Sequence, residues 1–210
     1  MRTSAVSKTV FTTLIAALAI LLSWTSPAAA QQGALTVQVD LARMVDESEN
    51  VVLARVTNAV AEKHPQFENL DTVVVTLQVI EPLKGTPGAT LTFRQYVFDI
   101  TDRDSKLDYR IGEEVVVMLR RPSQIGLTSP VGLEQGRFRV ERDALNNRVV
   151  RNGSDNASLF TTVDQTSPGL RPRLAPQLQQ LMTEHRNGPI TYDQLKALVQ
   201  NEVAARQAAR

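Results

Sequence analysis

The residues best suited to acid-base or metal chemistry in this sequence are its two histidines, His64 and His185. They lie far apart along the chain, and neither has a second histidine, a cysteine or an H-E-x-x-H motif at the spacing of a zinc site. The end of a helix is predicted near His185, where a positive charge is stabilising without any function. The sequence therefore predicts no catalytic residue and no metal site at either histidine.

Carboxylates are the second group that could do chemistry, and they are concentrated in residues 99–110. An oxygen-rich loop suits Ca²⁺, and the spacing of Asp102 and Asp104 is suggestive. Basic residues interrupt the run, and the glycine and terminal glutamate of an EF-hand loop are missing. We therefore expect an exposed loop, and whether it binds an ion stays open. The charged residues of the segment are Asp99, Asp102, Arg103, Asp104, Lys106, Asp108 and Arg110.

The candidate binding site is the tripeptide Arg94-Gln95-Tyr96. Successive side chains of a strand point to opposite faces, so Gln95 should face inward together with Phe93. Arg94 and Tyr96 should then project together from the outer face, and both residue types are enriched where proteins bind one another. The alternative is an ordinary exposed strand face with solvated side chains. Neither interpretation requires a cofactor, and we expect none.

An alternating pattern predicts the β-hairpin that positions this tripeptide. The clearest run is residues 71–81, where one face is apolar at Val73, Val75, Leu77 and Val79. Pro82 and the turn that begins at Gly85 must end this strand, because proline cannot donate to a ladder. Residues 90–96 are then its predicted antiparallel partner. Residues 61–70 are polar and contain Pro65, so we expect a loop before the hairpin.

Further apolar runs predict the rest of a β-domain over residues 31–150. Strands are expected at residues 51–60, 113–121, 131–140 and 148–150, and a short helix capped by Asp40 at residues 41–47. The buried face of the first strand should hold Val52, Ala54, Val56 and Val60. Gly136 lies inside the 131–140 run and predicts a bulge or sharp bend. The expected fold is mainly β, a small closed or partly open antiparallel barrel of the OB-like or Greek-key type.

The composition changes at Arg151. Residues 151–171 are rich in Gly, Ser, Asn and Pro and predict a linker. Residues 172–210 predict a helical hairpin, with a first helix at 174–185 and a second that begins at Thr191. Gln194 lies three residues after Thr191 and completes a capping box. Two short amphipathic helices cannot bury their apolar faces alone, so they either pack on the β-domain or bind something else.

The first 30 residues have the pattern of a secretory signal peptide, with Arg2 and Lys8, an apolar stretch and an Ala28-Ala29-Ala30 cleavage site. We therefore expect a periplasmic or extracellular protein without a membrane anchor after cleavage. The chain contains no cysteine, which excludes a lipoprotein anchor, disulfides and thiolate metal sites. Its 23 basic and 22 acidic residues nearly balance, and aromatic residues are few, so we expect no nucleic-acid partner.

Four segments carry a resemblance to known families: VVLARVTNAV, TLQVIEPLKGTPGATLTFRQ, IGEEVVVML and VGLEQGRFRV. In this order they resemble a family of secreted bacterial domains of unknown function with gRV, EvLKG, vRq, GEEv and GLxQGxFRV elements. Residues 51–140 also resemble the netrin-type oligomer-binding-fold module of tissue inhibitors of metalloproteinases, which implies a five-stranded barrel. Those inhibitors chelate the protease zinc through an N-terminal cysteine, a residue that this chain lacks.

These observations lead to an expected function without catalysis. We expect a secreted, non-enzymatic protein-binding domain whose partner is another exported protein, and the resemblance implies a metalloprotease as a conceivable partner. Two alternatives stay open. The chain could be a structural protein that assembles with itself or with the cell envelope, or an enzyme whose site has no recognisable spacing.

Overall fold

The computed structural model describes residues 37–209. The predicted signal peptide, residues 1–30, lies outside the described residues. Within the described part of the chain, no helix combines the length and the apolar character that crossing a bilayer requires.

The described residues form seven strands, five α-helices and three short 3₁₀ turns. The strands are β1 (Asn50–His64), β2 (Phe67–Lys84), β3 (Thr90–Tyr96), β4 (Glu114–Leu119), β5 (Arg137–Arg142), β6 (Arg148–Asn152) and β7 (Ile190–Thr191). The helices are α1 (Leu41–Glu47), α2 (Ile100–Asp104), α3 (Val163–Thr166), α4 (Pro176–Glu184) and α5 (Tyr192–Ala208). The 3₁₀ turns are Lys106–Asp108, Leu133–Gly136 and Arg171–Arg173.

Within residues 37–209, the seven strands form one antiparallel sheet in the order β3-β2-β1-β4-β5-β6-β7. β1, β2 and β3 are consecutive hairpin partners, and β4 then returns to pair with β1 on its other side. This order, 4-1-2-3, is that of a Greek key. The sheet is not closed, because β3 and β7 are its two edges. The predicted mainly β fold with a partly open, barrel-like sheet is confirmed.

Both faces of the sheet are covered, so the protein has two apolar clusters. On one face, α1, α5 and residues 159–174 pack against strand residues such as Leu53 and Phe138. On the other face, β1 to β4 bury Val52, Val75 and other residues beneath the chain that connects β3 to β4. Neighbouring residues such as Val52 and Leu53 therefore enter different clusters, and each buried apolar side chain contributes about 1.5–3 kcal/mol. The double covering explains why β4 is apolar at nearly every position.

The predicted loop at residues 61–70 is wrong. β1 continues to His64 and β2 begins at Phe67, so the two strands form one long hairpin. The polar sequence hid these strand ends, because ladder pairing satisfies the backbone whether or not the side chains are apolar. A register shift between Val56 and Asn58 also reverses the predicted face, so that Ala59 is buried and Val60 is exposed.

The predicted strand at residues 131–140 is shorter than expected. It begins only at Arg137, after the 3₁₀ turn that ends at Gly136. A Cβ atom at Gly136 would overlap the carbonyl oxygen of Val131, so the chain folds back on itself at this residue. The glycine predicted to bend the strand instead permits a close approach of two backbone segments.

Residues 151–171 are predicted to form a linker, but several of them are buried in the core. Leu159, Val163 and Leu170 are buried in the cluster beside α1. Asn156 is also buried, and its side-chain amide donates to the carbonyls of Val150 and Gly188, both at 2.9 Å. These apolar residues do not recur at helical or strand spacing, so the sequence gives no periodic signal that they are buried.

The C-terminal helices pack on the sheet. α5 lies against α1, β2 and β6, and β7 separates it from α4 by pairing with β6. The predicted capping box is confirmed. The Thr191 hydroxyl accepts from the backbone N–H of Gln194 at 3.1 Å, and the side-chain oxygen of Gln194 accepts from the backbone N–H of Thr191 at 2.9 Å. The second predicted helix, α5, continues to Ala208.

Candidate functional site

The three residues of the predicted binding site lie at the end of β3, an edge strand of the sheet. Gln95 is buried and faces inward with Phe93, as the alternation predicts. Arg94 is held in place by two neighbours, since its guanidinium donates to Glu62 at 2.6 Å and to the Thr72 hydroxyl at 2.8 Å. Arg94 is therefore already engaged within the fold.

Tyr96 and Phe98 form an exposed aromatic pair where β3 leaves the sheet. Their rings meet edge to face with centroids 5.0 Å apart. Tyr96 is 38% exposed and Phe98 is 58% exposed, which is high for side chains of this size. The pair forms one wall of a surface cleft of about 370 Å³, named here the Tyr96 cleft. The cleft is lined by Gln95, Tyr96, Phe98, Arg120, Arg121, Ser123, Leu127, Thr128, Ser129 and Leu133.

Gln95 is also one of the residues that line this cleft. Among the described lining residues it is the only buried one, at 4% exposure. Its Oε1 atom is buried and accepts no hydrogen bond from the described residues. Buried polar groups in folded proteins are nearly always paired, so an unpaired amide oxygen at a cleft is an exception with a free-energy cost. That cost is about 1–3 kcal/mol.

The connection between β4 and β5 supplies the opposite wall of the Tyr96 cleft. This connecting loop, residues 120–130, is braced internally, with Ser123 N–H donating to the Leu127 carbonyl at 2.7 Å and Thr128 Oγ1 donating to the Arg120 carbonyl at 2.7 Å. It is also attached to β3, because Thr128 N–H donates to the Arg94 carbonyl at 2.9 Å. These hydrogen bonds hold the two walls of the cleft together.

His64 fastens the same loop to the far end of the β1–β2 hairpin. Its Nδ1 accepts from the Gln66 N–H at 3.1 Å, so the ring proton lies on Nε2, which donates to the Ile125 carbonyl at 2.9 Å. The ring is buried and stacks at a tilt against Phe67. Both ring nitrogens are thus engaged in holding backbone, and His64 has a structural role beside the cleft.

The main chain of β3 also has a partly unpaired edge at the cleft. Val79 N–H donates to Ala89 and Val97 N–H donates to Asp71, so the odd-numbered residues of β3 bond to β2. The even-numbered residues turn their backbone groups to the open edge, where Arg94 is engaged by Thr128. No backbone hydrogen bond to another described residue is found on the same side of Tyr96. The residues around Leu127 thus bridge the edge at Arg94 and leave one position of it, Tyr96, without a backbone hydrogen bond to the described residues.

Two arginines give the cleft a cationic side. Arg120 pairs with Glu47 at 2.5 Å, and Arg121 pairs with Glu49 at 3.3 Å. Burial raises the pKa of Glu47, but hydrogen bonds and charges from Arg43 and Arg120 outweigh it, so the pKa lies below its ordinary value. Arg121 is 84% exposed, and exposed ion pairs contribute only about 0–1 kcal/mol. It can therefore exchange Glu49 for another carboxylate at little cost.

The acidic segment after β3 is largely exposed, as its charge predicts, but it is not an irregular loop throughout. It contains α2, which is capped by the Asp99 side chain accepting from Asp102 N–H at 2.9 Å, and it buries Leu107 and Tyr109. Asp108 pairs with Arg110 at 3.0 Å and also with Arg139. Among the described residues, no group of three or more histidine and acidic side chains is arranged to hold a metal ion.

His185 lies at the end of α4 beside a second cavity of about 530 Å³. Burial lowers the pKa of its ring, and its Nε2 atom has no hydrogen-bond partner among the described residues. The sequence interpretation of His185 as a helix-end cation is therefore not supported. The cavity's Asp164 and Arg171 bind each other through two hydrogen bonds of 2.8 and 3.0 Å, which leaves no unpaired charge from this pair for a ligand.

The tripeptide prediction found one strand of the cleft but missed its other wall. Phe98 follows in the same alternation as Tyr96, so the sequence contained a signal for the aromatic pair. Residues 120–130 gave only turn signals, Pro122 and Gly126, and no pattern that would place them beside β3. Comparison with known proteins does not extend this assignment: no protein-family model, no curated protein and no solved structure matches this chain.

Proposed function

We propose that this protein is a non-enzymatic binding protein that acts outside the cytoplasm, and that its Tyr96 cleft holds an extended segment of another exported protein. One observation carries the proposal: Gln95 lines an exposed apolar cleft, and its buried Oε1 atom has no hydrogen-bond partner among the described residues. A primary amide places an acceptor beside a donor, which matches the C=O and N–H groups of a peptide main chain. A bound segment would remove the cost of leaving this amide unpaired.

The walls of the Tyr96 cleft support the same proposal. Tyr96 and Phe98 are rigid aromatic side chains that give large contact area for little lost entropy, and residues of this kind dominate binding energies. The open backbone edge at Tyr96 adds main-chain hydrogen bonds, as in other complexes in which an extended peptide joins a sheet. Recognition through a strand edge and an apolar cleft requires no chemical step.

The test compares two variants that each remove one exposed apolar side chain. Phe98→Ala removes a cleft wall, whereas Leu145→Ala alters the turn between β5 and β6, outside the cleft lining. Immobilised wild-type protein is used to capture exported proteins, which are identified by mass spectrometry, purified and titrated by calorimetry. We expect a loss of about 2 kcal/mol or more for Phe98→Ala, roughly thirtyfold in affinity, and wild-type affinity for Leu145→Ala. Equal affinity in all three proteins would remove the cleft from the proposal.

The partner suggested by the resemblance to metalloproteinase inhibitors is an exported metalloprotease. This part of the proposal has its own assay, in which the purified protein is titrated into the protease and peptide hydrolysis is followed. Inhibition that saturates at one inhibitor per enzyme, and that is weakened by Phe98→Ala, is the expected result. Unchanged hydrolysis at a large excess of the protein would reject a protease partner and leave the binding site itself to the capture experiment.

A further inference from the structure

The ligand of the Tyr96 cleft must satisfy three different groups within a small space. The Gln95 Oε1 atom lacks a described partner, the aromatic pair offers an apolar surface, and the exposed Arg121 can exchange its glutamate for another carboxylate. The cleft of about 370 Å³ is near the lower end of the range for small-molecule pockets. All three groups must therefore be met by very few residues of the ligand.

The geometry of an extended chain limits which residues can do this. Neighbouring side chains point to opposite sides, so an acidic side chain next to an apolar one would turn away from the cleft. An acidic residue two positions away lies on the same side but roughly 6.6 Å farther along the chain. A terminal residue differs, because its carboxylate continues the main chain and its own side chain enters the cleft.

The described lining of the cleft contains two charged residues, and both are positively charged. The described lining includes Arg120 and Arg121, while their partners Glu47 and Glu49 are not lining residues. Arginine binds carboxylates through two parallel hydrogen bonds, which favours a planar carboxylate as the ligand group. Since Arg121 is held only by an exposed ion pair, it is the arginine able to turn to the ligand.

We propose that the Tyr96 cleft binds the C-terminal residue of a partner chain, with its free carboxylate at Arg121, its apolar side chain against Tyr96 and Phe98, and its main chain at Gln95. This inference rests on the proposed function and names the ligand class of the same site. An internal acidic segment and a second copy of this chain are the competing occupants, and they are outcomes of the test.

The experiment uses two matched arrays of random hexapeptides tethered through their N-termini, one with free carboxylates and one with C-terminal amides. The full-length exported protein is applied to both arrays, and the best peptides are then titrated in solution in both forms. We expect selection of an apolar last residue and an affinity at least tenfold lower for the amide. Arg121→Gln should abolish the preference for the free carboxylate, whereas Arg142→Gln, an exposed arginine outside the cleft, should preserve it.

The possible results separate this inference from the function on which it rests. Equal binding of both peptide forms, selection of internal acidic residues, or concentration-dependent self-association that Phe98→Ala abolishes would overturn the C-terminal ligand. If no array peptide binds while a captured protein still depends on Phe98, the inference fails and the proposed function stands. If neither peptides nor captured proteins depend on Phe98, both fail. Circular dichroism of each variant confirms that the fold is retained.

Discussion

Replacing Gln95 by leucine should make the protein more stable and unable to bind its ligand. Leucine is apolar and close in size, and the neighbouring inward side chains, Phe93 on β3 and Val97 just after it, are apolar and buried. The substitution removes an amide oxygen that is buried without a partner. Because such a group costs about 1–3 kcal/mol, the free energy of unfolding should rise by about that amount.

A second glutamine provides a matched control for this substitution. Gln135 is 5% exposed, almost as buried as Gln95, but both ends of its amide are paired. Its Oε1 accepts from Val39 N–H at 2.9 Å and its Nε2 donates to the Val37 carbonyl at 3.1 Å. Gln135→Leu leaves those backbone groups without partners, so it should lower the free energy of unfolding by about 1–3 kcal/mol.

Urea unfolding followed by fluorescence or circular dichroism measures both changes, and thermal melts give an independent check. For a chain of this length, 1 kcal/mol shifts the melting temperature by about 2–4 °C, so Gln95→Leu should melt roughly 2–12 °C higher than wild type. The two substitutions should thus have opposite signs. If Gln95→Leu destabilises the protein as Gln135→Leu does, the Gln95 amide is paired in solution and the argument for the cleft fails.

Three further predictions concern the residues that hold the fold and the cleft in place. His64→Phe keeps a stacked ring but loses two hydrogen bonds, so hydrogen exchange should become faster at Thr128 while the central strands stay protected. Burial raises the pKa of Glu81, but hydrogen bonds from Lys196 and Tyr192 and the charge of Lys196 outweigh burial, so the pKa is lowered. The Glu81 carboxylate therefore stabilises the folded state above about pH 4.3, and this stabilisation is lost as the pH falls through the folded-state pKa. Glu81→Gln should therefore melt below wild type near pH 6, and the difference should shrink toward about pH 3. Lys84→Met leaves carbonyls at the end of α1 without their charged donor and should cost about 1.5–3 kcal/mol in urea unfolding.

Elements with strong local signals were predicted at their observed positions. β3 spans residues 90–96 and α1 spans residues 41–47 as expected, and the Asp40 side chain caps α1 by accepting from Arg43 N–H at 2.7 Å. An N-cap residue, an alternating run and a turn each act within a few residues of the chain. Such features are determined by neighbours in sequence and can therefore be predicted from sequence.

Features that depend on distant contacts were missed. The ends of the β1–β2 hairpin are polar and are held by backbone pairing, and the 120–130 loop takes its position from hydrogen bonds to Arg94 and His64. Neither kind of contact leaves a period in the sequence. For the same reason, only part of the candidate site could be predicted. The alternation of side chains predicted Gln95 inward and Tyr96 outward. The opposite wall of the cleft is formed by a loop some 30 residues away in sequence, which no local pattern predicts.

Four residues in the segments that carry the family resemblance have a structural role in the fold. Lys84 donates to the carbonyls of Val45 and Ser48 at the end of α1, and the positive φ of Gly85 places it against the backbone of Glu49, where no side chain fits.

In the last segment, Gln135 holds residues 37–39 and Gly136 permits the fold-back onto Val131. These residues each satisfy backbone groups or fill a place in the structure. Gln95 differs from them, because it is buried like Gln135 but its Oε1 has no described partner. The unpaired Oε1 atom of Gln95 lowers the stability of the fold, and such a cost is expected if, as we propose, the cleft is a binding site that is complete only when its ligand is bound.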